Sequence, residues 1–311
     1  MTFSLTILGS SSALPTSKRF PTAHLLNVNE RFFLIDCGEG TQIQLRRFRT
    51  RMGRINRIFI SHMHGDHIFG LFGLLSSYQL LGRTADLHIH GPGELNELIG
   101  FYKKNFAQAG DFRIIVHAVS HRRAQVIFED ERVEVTAFPL RHRVPTSGYL
   151  FREKPAELNV RKDALDMYKP LIEQVVAIKK GEDLILSDGS VVPNEDLTLP
   201  PWKTRSYAYC TDTVYDPAIV EIIKDVDLLY HEATFSDNDK ELAAATLHST
   251  AGQAAEIARM AGAQKLLLGH FSSRYKDLDV LLKQAAAVFP ESYLVNDGDS
   301  FEVERKRELR P

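Results

Sequence analysis

The chain has 311 residues, of which 44% are hydrophobic and 25% are charged, and its formal net charge is −2. These values are typical of a soluble globular protein and exclude a strongly basic nucleic-acid-binding composition. No apolar run reaches the roughly 18 residues that a membrane-spanning helix needs. The first basic residue is Lys18, so no secretory signal is expected, and two cysteines are too few for a disulfide framework. We therefore predict a cytoplasmic protein without membrane attachment.

Hydrophobic periodicity predicts strands and helices in the first half of the chain. Strands are expected at residues 3–8, 24–28, 31–35, 57–60, 87–90, 114–119, 124–128 and 133–139. Helices are expected from Thr41 onwards and at residues 68–81 and 95–106. The glycines of Asp36-Cys37-Gly38-Glu39-Gly40 indicate a tight turn before the first of these helices.

The pattern changes between residues 152 and 199, where prolines and charged residues surround a hairpin signal at Asp188-Gly189. Residues 158–180 are expected to be partly helical, with an interruption at Pro170. We interpret residues 152–199 as an inserted arm within a single domain of residues 1–311. After the insertion, strands are expected at residues 206–210, 228–231 and 265–269, and helices at residues 217–223, 250–261 and 278–288.

The clearest chemical signal is the run His62-Met63-His64-Gly65-Asp66-His67, which follows the strand predicted at residues 57–60. Residues two apart in an extended segment point the same way, so His62 and His64 can bind one metal ion. Gly65 allows the chain to turn, so that Asp66 and His67 reach a neighbouring ion. Imidazole and carboxylate ligands suit zinc, and two metal ions about 3.5–4 Å apart promote phosphoryl displacement. The run therefore predicts a two-metal hydrolase.

Further ligands must come from distant parts of the chain. His142, His231, His270 and Asp212 each follow a predicted strand, which is where ligands gather in layered α/β proteins. A second His-x-His pair, at residues 88 and 90, is not excluded by its pattern. Residue types alone leave open which of these side chains complete the site.

These segments together resemble the metallo-β-lactamase superfamily, and more narrowly the short form of ribonuclease Z (tRNase Z), a family of endonucleases that trim the 3′ trailer of precursor tRNA. The resemblance covers nearly the whole chain. Besides the histidine run, it rests on residues 9–15, Asp36-Cys37-Gly38-Glu39-Gly40-Thr41-Gln42, Pro201-x-Lys203-x-Arg205, His231-Glu232-Ala233-Thr234, His248-Ser249-Thr250 and Gly269-His270-Phe271-Ser272. It implies an α/β (α+β) fold, the αββα four-layer sandwich, with the metal ions at one edge of its two mixed sheets.

The resemblance also implies the ligands of two Zn²⁺ ions per subunit. The first ion would be held by His62, His64, His142 and Asp212. The second would be held by Asp66, His67, Asp212 and His270, so that Asp212 bridges the two ions and His88 and His90 are unused. Asp66 would also accept the proton of the attacking water. His248 would protonate the departing 3′ oxygen, with Glu232 as the residue that orients it.

Precursor tRNA is the implied substrate and a homodimer the implied assembly. Lys203 and Arg205 are implied near the cleaved phosphate, and Glu232 is grouped with them as a candidate for substrate binding. The insertion at residues 152–199 corresponds in position to the family's flexible arm, which clamps tRNA. This sequence departs from the pattern because a Gly/Pro-rich tip is missing. Candidates for RNA contact in the arm are Arg161, Lys162, Lys179 and Lys180, and a solvated surface helix is the alternative.

Two other functions are compatible with the motifs. A metallo-β-lactamase-fold phosphodiesterase or arylsulfatase that acts on a small ester would use the same metal centre. Such an enzyme has no need of a projecting basic arm, which separates it from a tRNA endonuclease. A non-catalytic RNA-binding relative would be expected to lack a metal ligand, and all seven implied ligands are present.

Overall fold

The computed structural model describes residues 1–107 and 112–308 of the chain. These residues divide into two compact units. The first unit contains Met1–Arg152 and Ser206–Val303, and the second contains Glu153–Arg205 with the C-terminal segment that begins at Glu304.

The described residues form sixteen strands. In chain order they are β1 (Phe3–Gly9), β2 (Ala23–Val28), β3 (Arg31–Ile35), β4 (Ile55–Phe59), β5 (Leu87–Gly91), β6 (Ile114–Ala118), β7 (Gln125–Glu129), β8 (Val133–Leu140), β9 (Thr146–Glu153), β10 (Leu184–Ile185), β11 (Val191–Val192), β12 (Ser206–Cys210), β13 (Leu228–Glu232), β14 (Lys265–Gly269), β15 (Ser292–Leu294) and β16 (Ser300–Glu302).

Ten α-helices are found in the same described ranges. They are α1 (Thr41–Arg47), α2 (Gly65–Ile68), α3 (Leu71–Leu80), α4 (Leu95–Asn105), α5 (Lys162–Tyr168), α6 (Ile172–Lys179), α7 (Asn194–Leu197), α8 (Lys240–Thr246), α9 (Ala251–Ala261) and α10 (Asp279–Val288). Of the helices in these ranges, none has both the length and the apolar character needed to cross a membrane.

Two seven-stranded sheets dominate the first unit. Their strand orders are β16-β1-β2-β3-β4-β5-β6 and β15-β14-β13-β12-β9-β8-β7. Strands β3 to β6 are parallel in the first sheet, and β12 to β15 are parallel in the second. Strands β16, β1, β2 and β3 pair antiparallel with one another, as do β9 with β12 and β7 with β8. Both sheets are therefore mixed, and the carboxyl ends of neighbouring parallel strands lie at one edge of each sheet.

Three apolar clusters hold the layers of the first unit together. One lies between the sheets and includes Phe33, Phe59, Tyr149, Tyr207 and Leu267. A second packs α1, α3 and α4 on the outer face of the first sheet, and a third packs α9 and α10 on the second sheet. Full burial of one such Leu or Phe side chain contributes about 1.5–3 kcal/mol. The layers are helix, sheet, sheet and helix, so the predicted αββα sandwich is confirmed.

Local sequence explains where α9 begins and ends. The Thr250 hydroxyl accepts from the Gln253 amide at 3.3 Å, and the Gln253 side chain accepts from the Thr250 amide at 3.0 Å. This reciprocal pair satisfies two amides at the helix start. Gly262 ends the helix with a φ of 64°, which glycine adopts at little cost. The cap fixes the chain that carries His248, two residues before Thr250.

Two differences from the sequence expectations concern β9 and the segment between β12 and β13. The helix expected at residues 217–223 is only a 3₁₀ turn at Pro217–Ile219, because its amides bond mainly to carbonyls three residues back. Strand β9 is absent from the expected strands, although Tyr149, Leu150 and Phe151 are buried in it and it pairs with β12.

The second unit has its own small core. Ala164, Ile178, Leu184 and Leu197 are buried together, and Pro170 separates α5 from α6 as expected. The hairpin expected around Asp188 is formed by β10 and β11. The C-terminal segment completes this unit, since Lys203 donates its amide to the Lys306 carbonyl at 2.9 Å and the Arg307 guanidinium lies 3.9 Å from the centre of the Trp202 ring.

Candidate metal centre

Strand ends of both sheets bring one group of histidines and carboxylates together in the first unit. His62 follows β4, His142 follows β8, Asp212 follows β12 and His270 follows β14. All seven side chains implied as metal ligands belong to this group. A cavity of about 290 Å³ opens onto it and is lined by His64, Asp66, His142, Arg143, Asp212, His248 and His270, among others.

The first ligand set surrounds one oxygen of Asp212. Asp212 Oδ2 lies 3.5 Å from His62 Nε2 and 3.6 Å from His142 Nε2. His64 Nδ1 lies 3.0 Å from His62 Nε2. One atom from each of the four residues falls within 4.8 Å of the others, which suits a tetrahedral metal site.

The second ligand set surrounds the other oxygen of the same carboxylate. Asp212 Oδ1 lies 3.3 Å from His67 Nε2 and 3.1 Å from His270 Nε2. Asp66 Oδ2 approaches the same two nitrogens, at 3.3 Å and 3.5 Å. Asp212 thus presents one oxygen to each set, which is the arrangement expected of a bridging ligand.

A buried carboxylate, Asp36, holds two of the imidazoles from behind. It accepts from His67 Nδ1 at 2.7 Å and from the Ser61 hydroxyl at 2.8 Å, and that hydroxyl accepts in turn from His62 Nδ1 at 3.0 Å. It also accepts from the Ser61 amide and the Tyr209 hydroxyl. Because each Nδ1 carries a proton in this network, each Nε2 keeps its lone pair for the centre of the cluster.

A second buried carboxylate, Glu232, holds the imidazoles of His248 and His270 in the same way. It is fully buried and accepts from His248 Nδ1 at 2.8 Å and from the Thr234 hydroxyl at 2.6 Å. The Thr234 oxygen accepts from His270 Nδ1 at 2.9 Å. Burial lowers the pKa of His248, but the charge and hydrogen bond of Glu232 outweigh it and raise the pKa to about 9. His248 is therefore cationic at neutral pH, with Nε2 as its free nitrogen.

Strained backbone accompanies these functional positions. Asp36, Asp212 and His270 have φ values of 56°, 37° and 58°, in the left-handed region that costs a non-glycine residue about 1 kcal/mol or more. The surrounding hydrogen bonds hold them there. Gly70 is needed for a close approach, since a Cβ at this position would lie 2.0 Å from the Gly38 carbonyl oxygen. That contact keeps the Asp36 loop against the histidine run.

The cluster fits metal ions by two further criteria. The Nε2 atoms of His67, His142 and His270 are buried and have no hydrogen-bond partner among the described residues, an arrangement that costs free energy unless a ligand fills it. Burial lowers the pKa of His67, yet Asp66, Asp212 and Asp36 together raise it well above its ordinary value. The carboxylates around His67 therefore stabilise positive charge on its imidazole.

Three histidines left open by the sequence pattern lie outside the metal cluster. His231 is buried and its Nδ1 donates to the backbone carbonyl of Glu232. His88 and His90 lie within β5 and contact His117 and Arg57 instead. His248, which the resemblance does not count as a metal ligand, forms a third group with Asp212 and His270 at a spacing that could hold a metal ion.

The three candidates for substrate binding have different surroundings. Glu232 has no exposed surface and lies behind His248, whose Nδ1 donates to its carboxylate. Arg205 is also buried, in the second unit, where it makes two 2.8 Å hydrogen bonds to Glu153. This pairing commits the Arg205 guanidinium to the interior of that unit. Lys203 is partly exposed in the same unit.

The sequence pattern did not assign roles to Asp36, Ser61 and Thr234. Asp36 and Thr234 both lie in segments that carried the resemblance, and both follow strands next to a ligand strand. The signal in the sequence that could have pointed to these residues is a polar residue one or two positions after the end of a strand. Their partners could not be found by spacing, since Asp36 and Tyr209 are 173 positions apart.

Comparison with known proteins first defines the class. A family model described as Beta-lactamase superfamily domain matches residues 201–271, and one described as Anti-Pycsar protein Apyc1 matches residues 3–140. The solved structure of human tRNase Z, short form, superposes with a TM-score of 0.69 at 27% identity, covering 96% of this chain and 98% of that chain. Fold and site together define a metallo-β-lactamase-fold protein.

Sequence relatives define the family more narrowly. Ribonuclease Z of Bacteroides thetaiotaomicron is 48% identical over 296 residues, covering 95% of this chain and 94% of the relative. Ribonuclease Z of Porphyromonas gingivalis strain W83 is 44% identical over 295 residues, covering 95% and 97% respectively. The chain belongs to the ribonuclease Z family.

Proposed function

We propose that this protein is a zinc-dependent endoribonuclease that removes the 3′ trailer from precursor tRNA and leaves a 3′-hydroxyl on the tRNA. The observation that carries the proposal is the single carboxylate of Asp212, with one oxygen facing each of two ligand sets. Such a paired centre suits phosphodiester hydrolysis. The substrate is inferred from the ribonuclease Z relatives, which match over almost the whole chain.

The cluster would hold two Zn²⁺ ions. The first would be bound by His62, His64, His142 and Asp212, and the second by Asp66, His67, Asp212 and His270. When bound, two zinc ions lower the pKa of a water molecule towards neutrality and neutralise charge on the phosphate. Support for zinc over magnesium comes from the donors, since five of the seven are imidazoles and magnesium prefers oxygen.

The chain's own residues would move the protons. Asp66 uses Oδ2 towards the imidazoles of His67 and His270, which leaves Oδ1 to accept the proton of the attacking water. As the bond from phosphorus to the 3′ oxygen breaks, His248 Nε2 would donate its proton to that oxygen. Glu232 would keep His248 cationic and correctly oriented. The products are a 3′-hydroxyl on the tRNA and a 5′-phosphate on the trailer.

One assay separates this proposal from its main alternative. Purified protein is incubated with a precursor tRNA that carries a 3′ trailer, with chelator, without it, and with zinc added back. Cutting at the trailer junction that chelator abolishes and zinc restores supports the proposal. Turnover of a small chromogenic phosphodiester or aryl sulfate, with the precursor tRNA left intact, would instead favour a small-ester hydrolase.

The second unit is the candidate tRNA-binding arm. Arg161, Lys162, Lys179 and Lys180 are exposed on or beside α5 and α6. Phosphate contacts of this kind contribute affinity without base specificity. Replacing Lys179 and Lys180 by alanine should raise KM for precursor tRNA and leave small-diester turnover unchanged. An unchanged KM would favour the alternative of a solvated surface helix.

We infer that the protein is a homodimer and that α3 and α4 contribute its interface. Phe72, Phe101 and Phe106 lie within 6.4 Å of one another by ring centroids, and Phe101 and Phe106 are more than half exposed. Such an aromatic surface is typical of an interaction site. Light scattering should report a dimer for the wild type and a monomer for Phe101→Ser, with Met167→Ser in α5 as the control.

A cytoplasmic location is consistent with the two cysteines. Cys37 and Cys210 are both buried and unbonded, and burial raises the pKa of the Cys37 thiol to about 12, so it stays protonated. Free thiols persist in a reducing compartment. Cell fractionation with an antibody to the protein would test this location, and recovery in the membrane or secreted fraction would contradict it.

A further inference from the structure

A second cavity of about 340 Å³ adjoins the metal cavity, and Ser272 lines both. It is lined by Ser11, Thr16, Ser17, Lys18, Arg19, Phe271, Ser272, Ser273, Tyr275 and Lys276. Three of these side chains are cations and six carry hydroxyl groups, whereas no carboxylate lines the cavity among the described residues. We call it the cationic cleft. A surface with this composition is complementary to an anion.

Arg19, at one wall of the cationic cleft, is held in a fixed position by contacts within the protein. The Arg19 guanidinium donates to Asn296 Oδ1 at 2.9 Å and lies 5.5 Å from the centre of the Phe271 ring. Its Nε is buried without a hydrogen-bond partner in the described structure. The loop is fixed on both sides, since the Thr16 hydroxyl accepts from the Arg19 amide and Asp297 accepts from the Phe20 amide.

The other two cations are exposed. Lys18 and Lys276 have no ion pair within the described residues, so their charges are available to a ligand. A further cation, Arg274, contacts Ser272, the residue that lines both cavities. Arg274 Nε donates to the Ser272 hydroxyl at 3.1 Å, and its guanidinium lies 4.9 Å from the centre of the Phe235 ring.

The backbone connects the cationic cleft directly to the metal centre. Phe271, which lies in the wall of the cleft, follows the ligand His270 in sequence. Its carbonyl accepts from the Ser12 amide at 3.2 Å, and its amide donates to the Ser10 carbonyl at 3.2 Å. Ser12 and Ala13 line the metal cavity, and Ser11 lines the cleft. A chain-like anion can therefore pass from one cavity to the other along this loop.

We propose that the cationic cleft binds the RNA backbone next to the cleaved phosphate, with Lys18 and Lys276 contacting phosphate oxygens and Arg19 forming the fixed wall. This rests on the proposed endonuclease function. Cations and hydroxyl donors are what a phosphodiester backbone requires. The volume is near the lower end of small-ligand sites, about 300 Å³, so it suits one nucleotide of a single strand and not a helix.

The test compares the double variant Lys18→Ala, Lys276→Ala with the control Lys224→Ala, Lys283→Ala, whose exposed lysines line neither cavity. For precursor tRNA, the cleft variant should raise KM about tenfold with little change in kcat. When log kcat/KM is plotted against the logarithm of the salt concentration, the slope for the cleft variant should be shallower by about 0.7 for each phosphate that the variant no longer neutralises. Turnover of bis(p-nitrophenyl) phosphate should match the wild type, because the metal centre is untouched.

A second measurement identifies the phosphate. Precursors are made with one neutral methylphosphonate linkage at each position around the cleavage site. One linkage should raise KM for the wild type and leave KM unchanged for the cleft variant. If every linkage affects both proteins equally, or if the cleft variant keeps the wild-type KM and salt slope, the cleft does not bind RNA although the endonuclease function stands. Failure of the wild type to cut any precursor would overturn the proposed function, and the cleft inference with it.

Discussion

Two His-x-His pairs belong to neighbouring strands of the first sheet, one just beyond the end of β4 and the other inside β5. His62 and His64 reach past the sheet edge to Asp212, and their partners keep the Nε2 lone pair of His62 directed at the cluster. His88 and His90 face other side chains within the sheet. His88 Nδ1 lies 2.9 Å from His117 Nε2, and Arg57 donates to His90 Nε2 at 3.3 Å. The guanidinium therefore occupies the lone pair that a metal ion would need.

The charges next to each pair explain the difference. Burial lowers the pKa of His62, His64 and His90, to about 3 for His90. The charge of Asp212 opposes this lowering at His62 and His64, whereas His117 and Arg57 add to it at His90. Of the imidazoles of His88, His90 and His117 in the described structure, only that of His88 has a carboxylate, Asp86, acting on its pKa, and burial with Arg57 and His117 outweighs it. Spacing thus brings two imidazoles together, and the neighbouring charges decide whether they attract or repel a metal ion.

The largest expected effect comes from removing the shared carboxylate. Asp212→Ala should lower both metal content and cleavage of precursor tRNA, the latter by about 10³-fold, because both ligand sets lose an oxygen. Metal analysis of the purified variant together with single-turnover cleavage measures both. Two bound ions and near-normal activity in this variant would show that Asp212 does not bridge.

The next effect concerns proton transfer without loss of metal. His248→Ala should slow cleavage by about 10²-fold or more while zinc content is unchanged. Glu232→Gln should lower the pKa of His248 from about 9, since the charge that raises it is removed. The leaving-group proton is lost as pH rises through that pKa, so the alkaline limb of the kcat/KM profile should move to lower pH. An unmoved limb would argue against His248 as the acid.

A smaller effect on metal binding is expected from Asp36, which lies behind the metal ligands. Asp36→Asn should weaken zinc binding by about 10–100-fold, because His67 loses its carboxylate acceptor and the Ser61 hydroxyl that orients His62 loses the carboxylate to which it donates. Asp227→Asn is the matched control. Asp227 accepts hydrogen bonds from the amide of Ser206 at 2.8 Å and from the Ser206 hydroxyl at 3.0 Å, as Asp36 accepts from Ser61. Both variants should lose thermal stability. Chelator competition should show weaker metal binding only for Asp36→Asn.

The smallest effect tests the second histidine pair. His88→Ala should retain two metal ions and change cleavage by no more than about twofold, as is usual for substitutions away from a site. Loss of a metal ion on this substitution would contradict the distinction between the two pairs.

Much of this molecule could be predicted from its sequence, for identifiable reasons. Strand ends and the histidine run are local patterns, so most elements and the segments that meet at the centre were accessible. From the sequence, only the family resemblance separates His88 and His90 from the ligands, because their spacing matches that of His62 and His64. The position of Arg57 beside His90 is set by the register between β4 and β5.

Other features depend on residues that are distant in the chain. The cationic cleft combines Lys18 with Lys276, which no local pattern connects. Arg205 looks like a surface cation by residue type, and only its pairing with Glu153 reveals that it is buried. Strand β9 lacks a clean alternation because Thr146 to Phe151 are buried on both faces of the second sheet.

The pairing of distant segments also sets an order of assembly during synthesis. The second unit needs the segment from Glu304, and the edge of the first sheet needs β16 beside β1. A nascent chain that has released residues 1–205 from the ribosome therefore still lacks Asp212, His270 and the C-terminal segment whose Arg307 contacts Trp202. Since domains form as their residues emerge, neither the centre nor the candidate arm can be completed until nearly the whole described chain has been made.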